Sequence, residues 1–528
     1  MSENTIKISG SDLTLQHVHR VAREDAKVAL DEAASKRVAD SAARLADLTD
    51  SDQTIYGVNT GFGIFADRRI DASESAQLST NLILSHAAGV GPPFAPEVVR
   101  AAMLIRANTL AVGHSGVRPI VIQTLLEMLN RAVVPVVPSQ GSLGSSGDLA
   151  PLAHLALVML DNELTGDSQV SAAWYRGKRL SGQQAMAEAD IRPLRLGPKE
   201  GLALTNGATF SAALLALSVL DIAGLFVQAE ISAAMSLEAL LAVPAAFDAR
   251  LHASRPHPGQ SQVAARIRRI TEGSTLLGSG PQVQDAYSLR CIPQIYGPGV
   301  ELLDFVAPIA SREINAATDN PLLYGDEVLS GGNFHGQPLG LAADYLKLPL
   351  AETGALAERR IFRLTSAHTS HGLPAMLVPE PEQAGLQSGL MMLQYTAASL
   401  ALENQTLAAA DSIRSLPTSA GQEDLNANST TALRHLRMIL MNVRRIIAIE
   451  LITAAQALDL RVEQNPSLKP GKGSAAALEA VRNIVSFTSI DRPQSNSIEA
   501  VSSALSEGVF KQAVEDQIGD LPFLNSAS

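Results

Sequence analysis

Apolar residues recur at helical spacing along most of this chain. In one long segment Leu433, Leu436, Leu440, Val443 and Ile447 follow one another at intervals of three and four residues. That spacing places side chains on one face of an α-helix, whereas a strand alternates with a period of two. Long helices are therefore predicted over about 208–243, 299–318, 339–365, 387–410 and 430–460, with Pro308 and Pro349 expected to kink or split two of them.

The N-terminal part has a more mixed pattern. Shorter helices are predicted over about 12–48, 76–89, 97–112 and 119–132, and segments rich in glycine, proline and serine separate them. Strand signals are few and short. The predicted fold class is therefore mainly α, with a mixed N-terminal domain of residues 1–207 and a long-helix bundle domain of residues 208–528.

Composition narrows the possible partners. The 528 residues carry a net charge of −12, which argues against nucleic acid or an anionic membrane surface, because both need basic patches. A single cysteine excludes an internal disulfide framework, and the N-terminus lacks the pattern of a signal peptide, so we expect a cytoplasmic protein. Asp221, Glu230 and Glu238 interrupt the most apolar region, which indicates a core helix rather than a membrane span.

A glycine- and serine-rich turn, residues 141–148, lies between two apolar segments. Within it, the amide nitrogen of Gly147 stands two residues beyond the carbonyl carbon of Ser145. Since glycine enters backbone conformations that other residues resist, a compressed turn would let this nitrogen attack that carbonyl and close a five-membered ring. Loss of water from Ser146 would then leave an exocyclic methylene, which is an electrophile. The side chain of Ser145 takes no part in the closure.

Other chemistries have less support in the sequence. The 11 histidines form no HExxH motif or Cys/His cluster with metal-ligand spacing, and there is no phosphate-binding glycine loop, so no metal and no nucleotide is expected. Ser146 could instead be a plain nucleophile with His154 as its base, as in a serine hydrolase. A helical scaffold without chemistry is the third possibility.

Several further motifs follow in a fixed order along the chain. They are Tyr56-Gly-Val-Asn-Thr-Gly-Phe-Gly63, the turn with its continuation to His154, Asn206-Gly207, Tyr287-Ser-Leu-Arg-Cys291, Asp319-Asn-Pro321, Gly331-Gly-Asn-Phe-His335 and Gln422-Glu-Asp424. Together they resemble the aromatic amino acid ammonia-lyase and aminomutase family, over about residues 50–425. The resemblance implies elimination of ammonia from an aromatic amino acid, with 4-methylidene-imidazol-5-one (MIO) formed from Ser145-Ser146-Gly147. It also implies a homotetramer whose active sites combine segments of three subunits.

The resemblance assigns roles to residues that match the family motifs. Tyr56, in a glycine-rich loop, is the implied base for the β-proton, and Tyr287 would assist proton movement. An unperturbed tyrosine has a pKa of about 10, so nearby positive charge or dipoles would have to lower the pKa of Tyr56. Arg290 is the implied carboxylate ligand, for which its planar fork is suited. The remaining implied substrate-binding or electrophile-binding residues are Asn206, Gln284, Asn320, Phe334 and Gln422.

Two further positions indicate the substrate. Ser85-His86 and Glu423 resemble the pattern of family members that use histidine, which implies conversion of L-histidine to trans-urocanate. An imidazole has one donor and one acceptor, so a histidine and a carboxylate can satisfy both of its nitrogens. Gly421, where asparagine is expected, and the continuation over 425–428 depart from the pattern. A tyrosine or phenylalanine ammonia-lyase, or a 2,3-aminomutase, therefore stays open. Ser145, where the family usually has alanine, is a third departure.

Overall fold

A computed structural model describes residues 5–49, 54–61, 63–65, 67–161 and 170–523. Among these residues α-helices dominate. In the N-terminal part the helices are α1 Leu15–Arg23, α2 Glu32–Thr49, α3 Ser75–His86, α4 Pro96–Ala111, α5 Pro119–Asn130, α6 Leu149–Leu157, α7 Gly182–Glu188 and α8 Glu200–Thr205. They are followed by α9 Thr209–Ala239, α10 Ala249–Ala253, α11 Pro258–Ile270, α12 Tyr287–Arg290, α13 Ile292–Glu313, α14 Gln337–Thr365, α15 Met391–Leu407, α16 Ser429–Gln464, α17 Lys472–Arg482, α18 Ser495–Ser506 and α19 Val509–Ile518.

Strands are short and lie mostly in the N-terminal part. They are β1 Ile6–Ile8, β2 Val28–Leu30, β3 Val90–Pro93, β4 Val134–Pro135, β5 Pro138–Gln140, β6 Ala172–Tyr175, β7 Lys178–Ser181, β8 Leu322–Tyr324 and β9 Glu327–Leu329. β1 and β2 pair in parallel, with Ile6 opposite Val28. The pairs β3–β5 and β8–β9 and the three-stranded sheet β4–β6–β7 are antiparallel. The prediction of a mainly α fold with a mixed N-terminal part is confirmed.

The five predicted long helices correspond to α9, α13, α14, α15 and α16. Helix α13 begins seven residues earlier than predicted, and α15 is shorter at both ends. Pro308 and Pro349 were expected to kink or split their helices. A kink stays a prediction, but splitting is contradicted, since α13 and α14 run through these residues. Packing explains this, because Leu346 and Leu350 beside Pro349 are fully buried, and tertiary contacts override the local helix penalty of proline.

Helix α9 is the centre of the bundle and packs against α4, α13, α14 and α16. By length and composition alone it could cross a membrane, but 78% of its most apolar window is buried inside the protein. One continuous hydrophobic cluster includes residues from both sides of position 207. The division into domains 1–207 and 208–528 therefore stays a prediction.

The junction between the two parts brings helix N-termini together around the glycine- and serine-rich turn. Helix α6 follows the turn directly, and α9 begins two residues after Gly207, whose backbone pairs with that of Gly147. At the start of α14, Gly336 donates its N–H to the carbonyl oxygen of Gly144 at 2.8 Å. At the start of α16, Ser429 hydrogen-bonds Ser211 of α9 through their hydroxyls at 2.8 Å. The positive ends of four helix dipoles thus lie beside the turn.

Candidate active site

The turn is held in a compressed shape by the backbone of Gly207. Gly147 has a left-handed φ of +77°, and a Cβ atom at this position would lie 2.2 Å from backbone atoms of Gly207. Only glycine fits there. The N–H of Asp148 donates to the Gly207 carbonyl at 2.9 Å, which fixes the residue that follows. A glycine with a left-handed φ, two residues after Ser145, fits the ring closure expected from the sequence.

The carboxylate of Asp148 holds the turn in place through hydrogen bonds. It is fully buried and accepts hydrogen bonds from the Ser142 hydroxyl at 2.7 Å, the Ser211 N–H at 2.8 Å and the Thr430 hydroxyl at 2.5 Å. Burial raises the pKa of Asp148, and these donors oppose that rise. Asp148 therefore joins the turn to α9 and α16. The motif contained this residue, but its anchoring role was not predicted.

Two adjoining cavities lie over the turn, of about 620 and 510 Å³. Both are bordered by Tyr56, Gly63, Ser146, Asn206 and Glu423. The first cavity extends toward α3, where its wall is formed by Leu78, Asn81, Leu82, Ser85 and His86. The second extends toward the start of α14 and is bordered by Ser145, Asn320, Phe334, Gln422, Asp424 and Leu425. Nine of the predicted site residues are thus brought together in a single chain.

Tyr56 lies at the boundary of the two cavities. Burial raises the pKa of its hydroxyl, a backbone hydrogen bond from Gly63 lowers it, and the negative charge of Glu423 raises it again. The role implied by the sequence requires a lowered pKa, and the single chain by itself raises the pKa of Tyr56. The effect of burial on this pKa is larger than that of the hydrogen bond with the Gly63 backbone, which lowers it.

His86 and Glu423 border the same cavity, as predicted for the readers of the substrate side chain. Burial lowers the pKa of His86, whereas a backbone hydrogen bond and the charge of Glu423 raise it. His86 Nδ1 is 3.0 Å from the Ser85 hydroxyl, and the hydroxyl of Thr418 donates to Glu423 Oε2 at 3.2 Å. An imidazole on α3 and a carboxylate on the loop before α16 therefore both border the first cavity.

Two asparagines border the cavities with different surroundings. Asn320 Oδ1 accepts the N–H of Gly331 at 2.7 Å, and this bond fixes the side chain. Asn206 is buried, but its Oδ1 has no hydrogen-bond partner among the described residues. An orphaned buried oxygen beside Ser146 costs free energy unless a ligand or a modified turn supplies a donor. Asn206 is thus suited to contact a group formed at the turn.

Four predicted residues border neither cavity: Gly147, which lies in the turn itself, and three others. Tyr287 is 68% exposed, and the Arg290 guanidinium stacks over its ring at 4.8 Å. With its side-chain oxygen turned toward Arg290, Gln284 accepts hydrogen bonds from Nε at 3.1 Å and from Nη1 at 2.8 Å. The single chain therefore does not bring Gln284, Tyr287 and Arg290 to the turn.

The departures from the family pattern have local physical reasons. Gly421 has a φ of +92°, and Ser419 and Ala420 before it are also left-handed, so glycine suits this backbone. Asn428 is left-handed at the start of α16. The hydroxyl of Ser145 accepts the N–H of Ala427 at 3.3 Å, a contact that alanine could not make.

The geometry does not support a serine hydrolase. His154 Nε2 accepts the N–H of Gly89 at 3.1 Å. Among the residues that the structure describes, no hydrogen bond joins His154 to Ser146, and no group of three or more His, Cys, Asp or Glu residues is placed to hold a metal ion. A nucleophilic serine needs a base within hydrogen-bonding reach.

Some residues of the first cavity were not predicted. Leu78, Asn81 and Leu82 face it from α3, and Arg68 borders it from the loop that follows Gly63. Helical spacing could have indicated the first three, because they lie three to eight residues before Ser85-His86 and share a face of α3 with this pair. No sequence signal points to Arg68.

These features together fit a helical amino acid lyase in which the turn with Ser146 and the loop with Tyr56 border the same cavities. The sequence profile of the aromatic amino acid lyase family matches residues 13–483, and the chain belongs to this family. It is 46% identical to the histidine ammonia-lyase of Gloeobacter violaceus, over 97% of this chain and 98% of the relative.

Solved structures of the same fold include enzymes with different names. A tyrosine aminomutase from Streptomyces globisporus is similar, with a TM-score of 0.89 and 37% sequence identity. The alignment covers 97% of this chain and 99% of the aminomutase chain. A histidine ammonia-lyase from Trypanosoma cruzi is similar as well, with a TM-score of 0.89 and 35% sequence identity. The alignment covers 99% of this chain and 98% of the lyase chain.

Proposed function

We propose that this protein eliminates ammonia from L-histidine to give trans-urocanate. The observation that carries the proposal is the first cavity, where His86 and Glu423 face a space bordered also by Tyr56 and Ser146. A donor and an acceptor that border the same cavity match the two nitrogens of an imidazole. The name of the Gloeobacter violaceus relative agrees with this substrate.

The electrophile proposed is MIO, formed from Ser145, Ser146 and Gly147. When present, this group supplies an electrophilic carbon that makes the substrate amine a better leaving group. The Gly147 cradle and the unpartnered oxygen of Asn206 support its formation and its binding. The four helix N-termini around the turn would stabilise negative charge that develops there.

Tyr56 is proposed to remove the β-proton of the substrate. Breaking the Cβ–H and Cα–N bonds leaves a carbon–carbon double bond and releases ammonia, so the reaction needs no oxidant or reductant. The pKa of Tyr56 is raised in the single chain, and the proposal therefore includes positive charge near Tyr56 that would lower it. Tyr287 and Arg290 of a second copy are proposed to supply proton transfer and a cation that binds the substrate carboxylate.

A homotetramer is therefore part of the proposal. Large apolar side chains are exposed along α13, α14 and α15, including Phe305, Leu348, Met392, Tyr395 and Leu402, each between 57% and 64% exposed. Monomers rarely expose so many apolar groups together, and symmetric association would cover them. The single cysteine agrees with a cytoplasmic enzyme.

A second candidate is an aminomutase or lyase that acts on tyrosine or phenylalanine. It is favoured by the similarity to the Streptomyces globisporus structure and by the apolar walls of the first cavity at Leu78 and Leu82. The test is to offer L-histidine, L-tyrosine and L-phenylalanine separately and to measure both the conjugated acid and the β-amino acid products. Urocanate with the highest kcat/KM supports the proposal, and a preference for tyrosine or phenylalanine contradicts it.

A further inference from the structure

The loop that carries Glu423 does not fix its own conformation. Between α15 and α16 the chain runs from Ala408 to Asn428 with one short helical turn at Ser419–Gly421, and all three residues of that turn are left-handed. Two of them are not glycine, and such conformations persist only where surrounding contacts hold them. The position of the carboxylate therefore depends on what holds the loop.

The beginning of this loop is held by a buried cluster of charges. Lys347 of α14 is fully buried and contacts Asp344 Oδ1 at 2.7 Å and also Asp411 Oδ2. Asp344 accepts the backbone N–H of Asp411 at 3.1 Å and that of Ser412 at 2.9 Å. His435 of α16 contacts Asp411 through Nδ1 at 2.7 Å. The largely exposed Arg414 also lies 3.6 Å from Asp411 Oδ1 through its Nη1. Lys347 is thus the buried cation that joins the two carboxylates, and these fix the backbone where the loop begins.

Hydrogen bonds connect the beginning of the loop to Glu423. Asn426 donates its N–H to the Ser415 hydroxyl at 2.8 Å, and its side-chain oxygen accepts the N–H of Leu416 at 3.2 Å. Thr418 donates its N–H to the Glu423 carbonyl at 2.8 Å and its hydroxyl to the Glu423 carboxylate. The two limbs of the loop are therefore joined as a unit, and a shift at Asp411 would displace the carboxylate.

We propose that Lys347, with Asp344 and Asp411, positions Glu423 for recognition of the substrate side chain. These are positioning residues, since none of the three borders either cavity. The inference rests on the proposed function, because it assigns Glu423 to substrate recognition. Without Lys347, the two carboxylates would lose the buried ammonium group that joins them, and Asp411 would keep its contacts with His435 and Arg414. The repulsion between the carboxylates would then increase, and the loop would move to let water reach them.

The test is a double-mutant cycle between Lys347→Met and Glu423→Gln, with kcat/KM for histidine as the readout. Lys347→Met alone should lower kcat/KM by at least tenfold, mainly through KM, and should cause little further loss in the Glu423→Gln background. Lys347→Arg, which keeps the cation, should restore most of the activity. The matched control is Arg266→Met, which breaks a buried ion pair with Glu230 on α9 and should act additively with Glu423→Gln.

A structural readout separates this inference from the proposed function. Hydrogen–deuterium exchange in residues 411–428 should be faster in Lys347→Met than in wild type, and unchanged in Arg266→Met. If Lys347→Met does not fold, the double variant Lys347→Met/Asp411→Asn, which leaves one carboxylate charge fewer beside the lost ammonium group, replaces it in both experiments. Unchanged exchange, or losses that add fully in the cycle, would overturn the inference. If exchange changes in Lys347→Met but the wild-type protein does not turn over any aromatic amino acid, the proposed function is overturned instead.

Discussion

Glu423→Gln should reduce the activity on histidine more than any other single change of charge in the first cavity. The variant keeps the size of the side chain, and the oxygen of glutamine can still accept the Thr418 hydroxyl that now lies 3.2 Å from Oε2. What changes is the charge that faces the substrate imidazole. The loop should therefore retain its conformation while recognition is weakened.

The magnitude follows from the type of bond that is lost. A hydrogen bond to a charged group contributes about 1.5–3 kcal/mol, which corresponds to a decrease of roughly 10- to 150-fold in kcat/KM. The charge of Glu423 also raises the pKa of Tyr56. Its removal should lower that pKa, so the rising limb of the pH–rate profile should move to lower pH because the base is then deprotonated earlier.

The assay is the formation of urocanate, followed by ultraviolet absorbance from pH 6 to 10 for wild type, Glu423→Gln and Asp424→Asn. Asp424 is the matched control, since it removes an adjacent charge that borders only the second cavity. The control should stay within about threefold of wild type, well below the effect of a lost charged bond. Equal losses in the two variants, or a rising limb that does not move, would refute the reasoning.

Three other outcomes are expected. Ser146→Ala should fold normally, as judged by circular dichroism, and lose almost all turnover, whereas Ser145→Ala, whose side chain is outside the ring closure, should keep most of it; the reverse order would contradict the assignment. Tyr56→Phe should lower kcat by about 10²–10⁴-fold with little change in KM, and a decrease within about threefold would exclude Tyr56 as the base. Burial raises the pKa of Glu238 to about 7 from 4.5, so the folded state keeps a proton that the unfolded chain releases, and stability should fall by up to about 3 kcal/mol as pH rises from 4.5 to 7. Glu238→Gln should therefore gain in Tm over wild type from pH 5 to pH 8, and a constant difference between the two would contradict this pKa.

Much of the fold could be predicted because helical periodicity is a local signal. The stripe from Leu433 to Ile447 defines α16, and all five of these residues are fully buried. The proline positions were misjudged because the local cost at Pro349 is offset by packing against other helices, which no single segment encodes.

The sequence predicted those residues of the candidate site that belong to recognisable motifs. Tyr56, Ser146, Asn206 and Glu423 border the same cavities although they are far apart in sequence. Arg68 carries no motif, because its position follows from how a loop packs. Lys347 on α14 carries none, because its partner Asp411 is 64 residues away in the sequence. The raised pKa of Tyr56 follows from burial and from the distance to Glu423, and both quantities exist only in the folded chain.

The central claim is that the chain makes its own electrophile from Ser145, Ser146 and Gly147. The most direct measurement is the intact mass of the purified native protein, since ring closure and loss of the Ser146 hydroxyl each release one water. We predict a mass two waters below that of the translated sequence, and a mass of Ser146→Ala in which the water from the Ser146 hydroxyl is no longer lost. A wild-type protein with the full sequence mass would contradict the account.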